Sequence, residues 1–595
     1  MRRRDSARRN VPAPQLTMSS SNVSRAALAV SSGIAMGLAF PKFDYGLLAW
    51  VAFVPLFYAI EGESLRRVPG WAWLQGFAAY IVSLYWIPIP LHDFADVRMS
   101  LAIPPMLLLA GVVALNTAAA IWAGEFVARR TRIPSVVTMP VAWAAVEWLR
   151  TYFPIGFPWN LLGYTAYRNL ELIQFAEFTG VYGVSALIMF FNAVVYVVIL
   201  RRGTYRLQTV SLGVLTATML LLVGFGTWRI GNVKSAPAAG SFKVAMVQGN
   251  IPQSLKWDPN FLPQSYKVYQ DETASAAKRG AELIVWPEAA AAFLFQPDDL
   301  YPAELANDAA YRKALLTLAH NIGDPILFGA PALARVNGKF GFYNRAYLVS
   351  AKGEVEAHYD KMQLVPFGEY VPARGILGYF VNRVVQGFGD LVPGEEQTLF
   401  TVKGAKLGIL ICYESIFPDF TRREVNLGAD VLVNITNDAW YGESSAPFQV
   451  LAMAALRSVE TKVPMVRAAN TGISAIIEPS GRITHRTPLF KRGTEIEEVK
   501  WRPVRTVYTI VGDLFSEICF MLTIVGLIGA WRYPRPAAAV VEIRTRPARR
   551  ASANGRASLP ARATPSDSSM TRNADHSRAQ ADAQRVDGGR QNQSG

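Results

Sequence analysis

The hydrophobic pattern changes texture once along the chain. Up to about residue 228 the apolar positions run in long stretches, at about 25–40, 44–60, 70–91, 101–127, 133–149, 173–200 and 209–228. The clearest, AEFTGVYGVSALIMFFNAVVYVVIL at 176–200, is long enough as a helix to cross a hydrocarbon core of ~30 Å. This pattern predicts a membrane domain over 24–228 with about seven transmembrane helices. From 229 to 505 the apolar runs are short and rich in β-branched residues: FKVAMVQGN, AELIVWPE, PILFGAPAL, YNRAYLVSA, KLGILICYE, ADVLVNITND and VPMVRAAN. Helical patterns such as QSYKVYQDETASAAKRG separate several of them, which predicts an α/β domain with a largely buried sheet. One more long apolar run, about 506–531, predicts an eighth span.

Charge orients these elements. The net charge is +15, but the basic residues sit in the tails and between apolar runs, as on the cytoplasmic loops of a membrane protein and unlike a nucleic-acid-binding stripe. Arg2, Arg3, Arg4, Arg8 and Arg9 precede the first run. Arg66 and Arg67, then Arg129, Arg130 and Arg132, then Arg201, Arg202 and Arg206 fill every second loop. Seven spans from an inside N-terminus place 229–505 outside. The eighth span returns the basic tail of 532–595 to the inside. That tail and residues 1–23 read as disordered. A signal peptide is the competing reading of the first run, whose apolar stretch is short. Five His and two Cys are scattered without metal-ligand spacing.

Candidate chemistry stands at the ends of the β-runs. In LGILICYESIFP, 407–418, a buried strand ends on Cys412 before a helical pattern from about Ile416 to Leu427. A thiol there can feel a helix N-terminus, which favours thiolate, although a lone cysteine is as often a core residue. In IVWPEAA the proline stops the strand just before Glu288, a candidate general base or else a helix-starting carboxylate. Lys361 in HYDKMQLVPFGEYVP is a candidate oxyanion stabiliser or a surface lysine, with Glu369 eight residues on. Cys519 lies in an apolar run and is no partner for Cys412.

Glu, Lys and Cys in that order, each closing a β-run, resemble the nitrilase or carbon–nitrogen hydrolase superfamily over roughly residues 242–500. With the membrane segments, the chain is similar to the apolipoprotein N-acyltransferase family over about 25–530. The strings carrying this are VQGNIPQSLKWDP, WPEAA, KMQLVPFGEYVP, GILICYES, NITNDAWYGESSAP and RAANTGIS, with VEWLRTYFPIGFPWNLLGY and GVYGVSAL in the membrane half. The resemblance implies a multi-span α-helical membrane domain plus an αββα sandwich carrying a Glu–Lys–Cys triad. It makes Cys412 the nucleophile, Glu288 the general base and Lys361 the oxyanion stabiliser. Glu369 and Glu414 would orient Lys361 and the thiol, and Trp257, Asn344 and Tyr413 would belong to the pocket. It further implies a phospholipid acyl donor, a diacylglyceryl apolipoprotein acceptor, and no metal or diffusible cofactor. A membrane-tethered amidase using water as acceptor would share the triad, and a non-enzymatic scaffold would share only the fold. One departure is Val450, where the family commonly has histidine.

Overall fold

The structure is a computed structural model that describes residues 21–154, 156–200, 204–296, 306–336, 339–370 and 391–532. Both expected tails lie outside the described residues apart from their inner ends, as do Arg201 and Arg202.

The N-terminal half is helical: α1 (Asn22–Ala39), α2 (Val54–Ile60), α3 (Val68–Ser83), α4 (Pro88–Asp93), α5 (Met99–Arg130), α6 (Ser135–Tyr152), α7 (Leu170–Ile173), α8 (Ala176–Ile199) and α9 (Tyr205–Ser235). Two apolar runs do not form single helices. The 44–60 run becomes a 3-10 turn, Gly46–Trp50, followed by α2, and the 70–91 run divides into α3 and α4. Pro55 and Pro88 fall in the first turns of α2 and α4, where a missing N–H is tolerated; inside one continuous helix each would break the ladder. The last of these helices, α9, runs on to Ser235, past the end of its apolar run. The first run is an integral part of the bundle: Ser32 of α1 donates to the Ala52 carbonyl at 2.6 Å, and Ala29, Met36 and Ala39 are buried. Among the described residues, α5, α8, α9 and α15 (Leu514–Arg532) are long and apolar enough to cross a membrane. The 506–531 run breaks at Gly512 (φ +64°) into α14 (Val507–Val511) and α15.

The following half is a pair of six-stranded sheets. The first has the order β12-β1-β2-β3-β4-β5, from β1 (Gly240–Gln248), β2 (Leu283–Val285), β3 (Ile326–Val336), β4 (Lys339–Val349), β5 (Val355–Asp360) and β12 (Gly493–Trp501). The second has the order β11-β10-β9-β8-β7-β6, from β6 (Leu399–Val402), β7 (Ala405–Ile411), β8 (Val431–Thr436), β9 (Met465–Ala469), β10 (Ala475–Ile477) and β11 (Ile483–Thr484). Each sheet has three parallel strands joined by helices: α10 (Leu262–Lys278) and α11 (Ala306–Ile322) in the first, α12 (Pro418–Leu427) and α13 (Ala446–Thr461) in the second. Parallel strands covered on both faces need apolar side chains on both, which is why VLVNIT of β8 is buried throughout. The sheets share a core containing Val244, Met246, Leu283 and Leu327 with Leu407, Ile409, Val431 and Val433. The sandwich has helices on its outer faces, as the sequence implied.

The two halves meet at α13. Leu451, Ala454 and Ala455 join the core of the sheets, whereas Val450, Met453, Leu456 and Val459 join that of the helical half. A buried ion pair pins this seam. Arg457 donates to Glu460 at 2.8 Å and to the Ile416 carbonyl at 2.9 Å. Glu460 also accepts from the Val181 amide at 2.8 Å. That amide follows a kink in α8 at Gly180 (φ +63°), where a Cβ would lie 2.8 Å from the Tyr508 ring.

Candidate active site

Three strand ends converge. β2 stops at Val285, and Trp286-Pro287 turn the chain so that Glu288 points back between the sheets, only 6% exposed. The turn presses against β3, where a Cβ on Gly329 would lie 2.4 Å from the Ala289 nitrogen; only glycine fits there. Glu288 Oε1 accepts from Asn344 Nδ2 at 2.7 Å and from Lys361 Nζ at 3.3 Å, and Oε2 accepts from the Asn437 amide at 2.8 Å. Asn344 comes from β4, so three separate segments hold one carboxylate.

Lys361 follows β5 directly and its backbone amide continues the ladder to the Asn344 carbonyl at 2.9 Å. Its side chain is 1% exposed and donates to Glu369 at 2.7 Å as well as to Glu288. Glu369 is held in turn by the Val365 amide at 2.8 Å. Glu414 is fully buried and does different work. It accepts from Tyr359 at 2.8 Å, from the Met362 and Gln363 amides at 2.7 and 3.1 Å, and from the Ile411 amide at 2.7 Å. Tyr359, Met362 and Gln363 bracket Lys361, and Ile411 precedes Cys412. One carboxylate therefore fixes the lysine loop relative to the cysteine turn.

Cys412 sits at φ +53°, a left-handed conformation that a non-glycine residue adopts at a cost of about 1–2 kcal/mol. It opens a 3-10 turn, Cys412–Ile416, before α12. The expectation of a thiolate favoured by a helix N-terminus is not met. The 3-10 turn separates the thiol from α12, and burial pushes the thiol up to about 12, with the Glu288 charge adding to the rise and Lys361 opposing it. For Glu288, burial acts to raise the carboxyl, but Lys361 and Lys256, with hydrogen bonds from Asn344 and the Cys412 thiol, outweigh it and hold it below the ordinary value. Lys361 is held well above its ordinary range: Glu369 and then Glu288 outweigh the effect of its burial. The resting centre is a neutral thiol beside an ionised carboxylate and an ammonium.

The remaining sequence candidates lie further out. Tyr413 is buried against Phe417, ring centroids 5.0 Å apart, and belongs to the core of the helical half. Trp257 is half-buried, with the Lys256 ammonium 5.8 Å from its ring centroid. Cys519 is a free, buried thiol of α15. Several contacting groups escaped the sequence reading. The Asn437 donor is a backbone amide and leaves no side-chain signature. Asn437 is itself fixed by Gln253 at 2.7 Å. Lys256 donates to the Glu288 carbonyl at 3.0 Å; its only trace in the sequence is a charge inside the loop string QSLKWDP. Beside the site, Tyr441 packs edge-on to Trp86 at 5.0 Å, and Gln449 of α13 accepts from the indoles of Trp86 and Trp159 at 3.2 and 2.8 Å. Among the described residues no group of His, Cys, Asp and Glu is arranged to hold a metal ion.

Two stacked sheets that gather a carboxylate, an ammonium and a thiol at their strand ends define a carbon–nitrogen hydrolase domain, and the model of the carbon-nitrogen hydrolase family matches residues 243–507. The model of the apolipoprotein N-acyltransferase N-terminal domain matches residues 32–194. Over 504 residues the chain is 37% identical to an apolipoprotein N-acyltransferase of Geobacter metallireducens, covering 83% of this chain and 92% of the relative. Over 475 residues it is 31% identical to one of Pseudomonas syringae pv. tomato, covering 79% and 90%. The chain belongs to the apolipoprotein N-acyltransferase family. Among solved structures it is similar to a mutant of the Nesterenkonia AN1 amidase of the nitrilase superfamily, at 23% identity and a TM-score of 0.33, over 44% of this chain and 93% of that one.

Proposed function

We propose that the protein moves an acyl chain from a membrane phospholipid to Cys412, and from there to the N-terminal α-amine of an S-diacylglyceryl-cysteine apolipoprotein. The observation that carries this reading is the placement of the cysteine turn. Cys412 belongs to the core of the sheets, whereas Tyr413 and Ile416 of the same turn belong to the core of the helical half. A nucleophile in that seam is reachable by a substrate whose chains stay in lipid, and lipid chains also keep water from the thioester.

In the first half-reaction Glu288 takes the thiol proton as sulfur attacks the ester carbonyl. The oxyanion of the tetrahedral intermediate meets the third N–H of Lys361, whose other two are committed to Glu369 and Glu288. Collapse breaks the ester bond, and Glu288 passes the proton to the departing lysophospholipid oxygen. In the second half-reaction the neutral amine attacks the thioester and gives a proton to Glu288. Collapse then releases Cys412, which recovers that proton. An α-amine has an ordinary pKa near ~7.7–8.0, so entry into a dry, cationic site favours the neutral nucleophile.

The membrane domain of 24–228 and the span at 506–531 would carry the sandwich of 229–505 on the periplasmic side of the inner membrane. An alkaline phosphatase fusion near residue 240 should be active and one after residue 535 inactive; the reverse pattern overturns this topology. The acceptor is tested with phospholipid and a diacylglyceryl lipopeptide bearing a free α-amine. The expected products are N-acylated lipopeptide and lysophospholipid in equal amounts. Release of free fatty acid at a rate indifferent to the lipopeptide would establish water as the acceptor.

A further inference from the structure

The buried charges at this centre do not balance around Lys361 alone. Two carboxylates, Glu288 and Glu369, converge on its single ammonium, and the ammonium lies nearer Glu369 (2.7 Å) than Glu288 (3.3 Å). A carboxylate kept ionised while buried needs a cation or several donors. The second cation is Lys256. Its side chain is 3% exposed, its Nζ donates to the main-chain carbonyl of Glu288 at 3.0 Å, and the half-buried Trp257 ring lies beside it. With it the cluster of Glu288, the half-buried Glu369, Lys361 and Lys256 is neutral; without it the cluster carries one uncompensated negative charge.

We propose that Lys256 is a positioning residue of this centre, a second buried cation that anchors the Glu288 turn through its carbonyl and balances the carboxylate that Lys361 shares with Glu369. The inference rests on the assignment of Glu288 as base and Cys412 as nucleophile. Burial lowers the Lys256 ammonium to about 8, with Glu288 and Cys412 opposing the fall, so Lys256 stays largely charged at neutral pH because its partners are anionic or polar. Glu288 itself faces Lys361, Lys256, Asn344, the Asn437 amide and the Cys412 thiol. Removing Lys256 takes away one of the two cations that hold Glu288 ionised. The base then becomes protonated, and useless, at a higher pH.

The test is the pH dependence of Cys412 alkylation by iodoacetamide, on the full-length protein in detergent with Cys519→Ser in the background. This reaction reads the thiol and its base without any lipid substrate. Lys256→Met retains the buried stem and should move the acid limb of the profile upward by roughly one pH unit. Lys256→Arg should leave the limb near its original place, and Lys256→Met should add no shift in a Glu288→Gln protein. All variants should melt in detergent near the parent's temperature, which shows that they are folded. An unmoved limb with a uniform loss of rate in Lys256→Met would mean that the lysine only packs, and would overturn the proposal. An equal shift in the Arg and Met variants would overturn it too, because charge would not be the cause. If the profile of Glu288→Gln matches that of the parent, the base assignment fails first and this inference falls with it.

Discussion

The helical half and the sandwich half solve opposite solvation problems with one chain. In the sandwich and the segments joining it to the helices, the large apolar side chains left exposed among the described residues are Leu255, Val355, Phe367, Leu427 and Trp440. In the helical half, whole stripes face outward: Leu101, Leu108 and Leu115 on α5, Val214, Leu220, Leu221 and Trp228 on α9, and Met521, Leu522, Val525 and Trp531 on α15. A contiguous apolar exterior of that extent is solvated by lipid. Charge shows the reverse contrast. The sandwich buries Glu288, Lys361, Lys256 and Glu414 where its strands end, and α13 buries Arg457 and Glu460 where the halves join. The helices carry the apolar exterior, the sheets hold the fixed charges, and the Cys412 turn lies between them.

The catalytic end of this comparison breaks most sharply at Lys361 and Glu288. Lys361→Ala should cost ~10²–10³ in the rate of thioester formation, because it removes the charge facing the oxyanion. Alkali should not restore it, since Lys361 helps to lower the thiol and its loss pushes Cys412 further up. Glu288→Gln should also stop the reaction at neutral pH, but its deficit should shrink as pH rises. Removing the Glu288 charge takes away a cause that raises Cys412, so a thiolate forms within reach of alkaline buffers. The pH–rate profiles of the two variants decide this; rescue of Lys361→Ala alone would reverse the roles.

The seam breaks next. Arg457→Leu leaves the Glu460 carboxylate buried without its cation and should cost about 3–5 kcal/mol of stability. Burial already raises Glu460 to about 7, with Arg457 opposing the rise. Without Arg457 it rises further, so the native state binds a proton that the unfolded state lacks around neutral pH. The deficit should therefore be small in acid and grow as pH increases through the raised value. Thermal melting in detergent at several pH values reads this; a deficit that grows toward acid contradicts it.

The exteriors give the smallest effects and the cleanest contrast. Leu221→Asp, on the outward face of α9, should impair membrane insertion by ~2.5–3.5 kcal/mol. Leu427→Asp, on an apolar residue also exposed but on the sandwich, should change stability by no more than about 0.5 kcal/mol. Similar costs at the two positions would remove the distinction between the two surfaces.

Much of this architecture is legible in the sequence because each half obeys a simple pattern. Long apolar runs become helices, and β-branched runs stopped by Pro287, Asp360 or Cys412 become strands that end at the site. What is not legible depends on distant neighbours. The division of 44–60 and 70–91 needs the local effect of Pro55 and Pro88 weighed against a strong hydrophobic signal. The direction of the Cys412 shift depends on how completely the folded sheets bury it. Lys256 and the Asn437 amide reach Glu288 from loops that no periodicity marks, and the four donors through which Glu414 ties the lysine loop to the cysteine turn show only in the fold.

In the proposed reaction Cys412 carries the acyl chain between the two lipids. This is tested most directly by mass spectrometry of the full-length protein after incubation with phospholipid and no acceptor. One acyl adduct is expected, mapped to the peptide containing Cys412, absent from Cys412→Ser and discharged when a diacylglyceryl lipopeptide is added. An adduct that persists in Cys412→Ser, or that maps to Cys519, would contradict it.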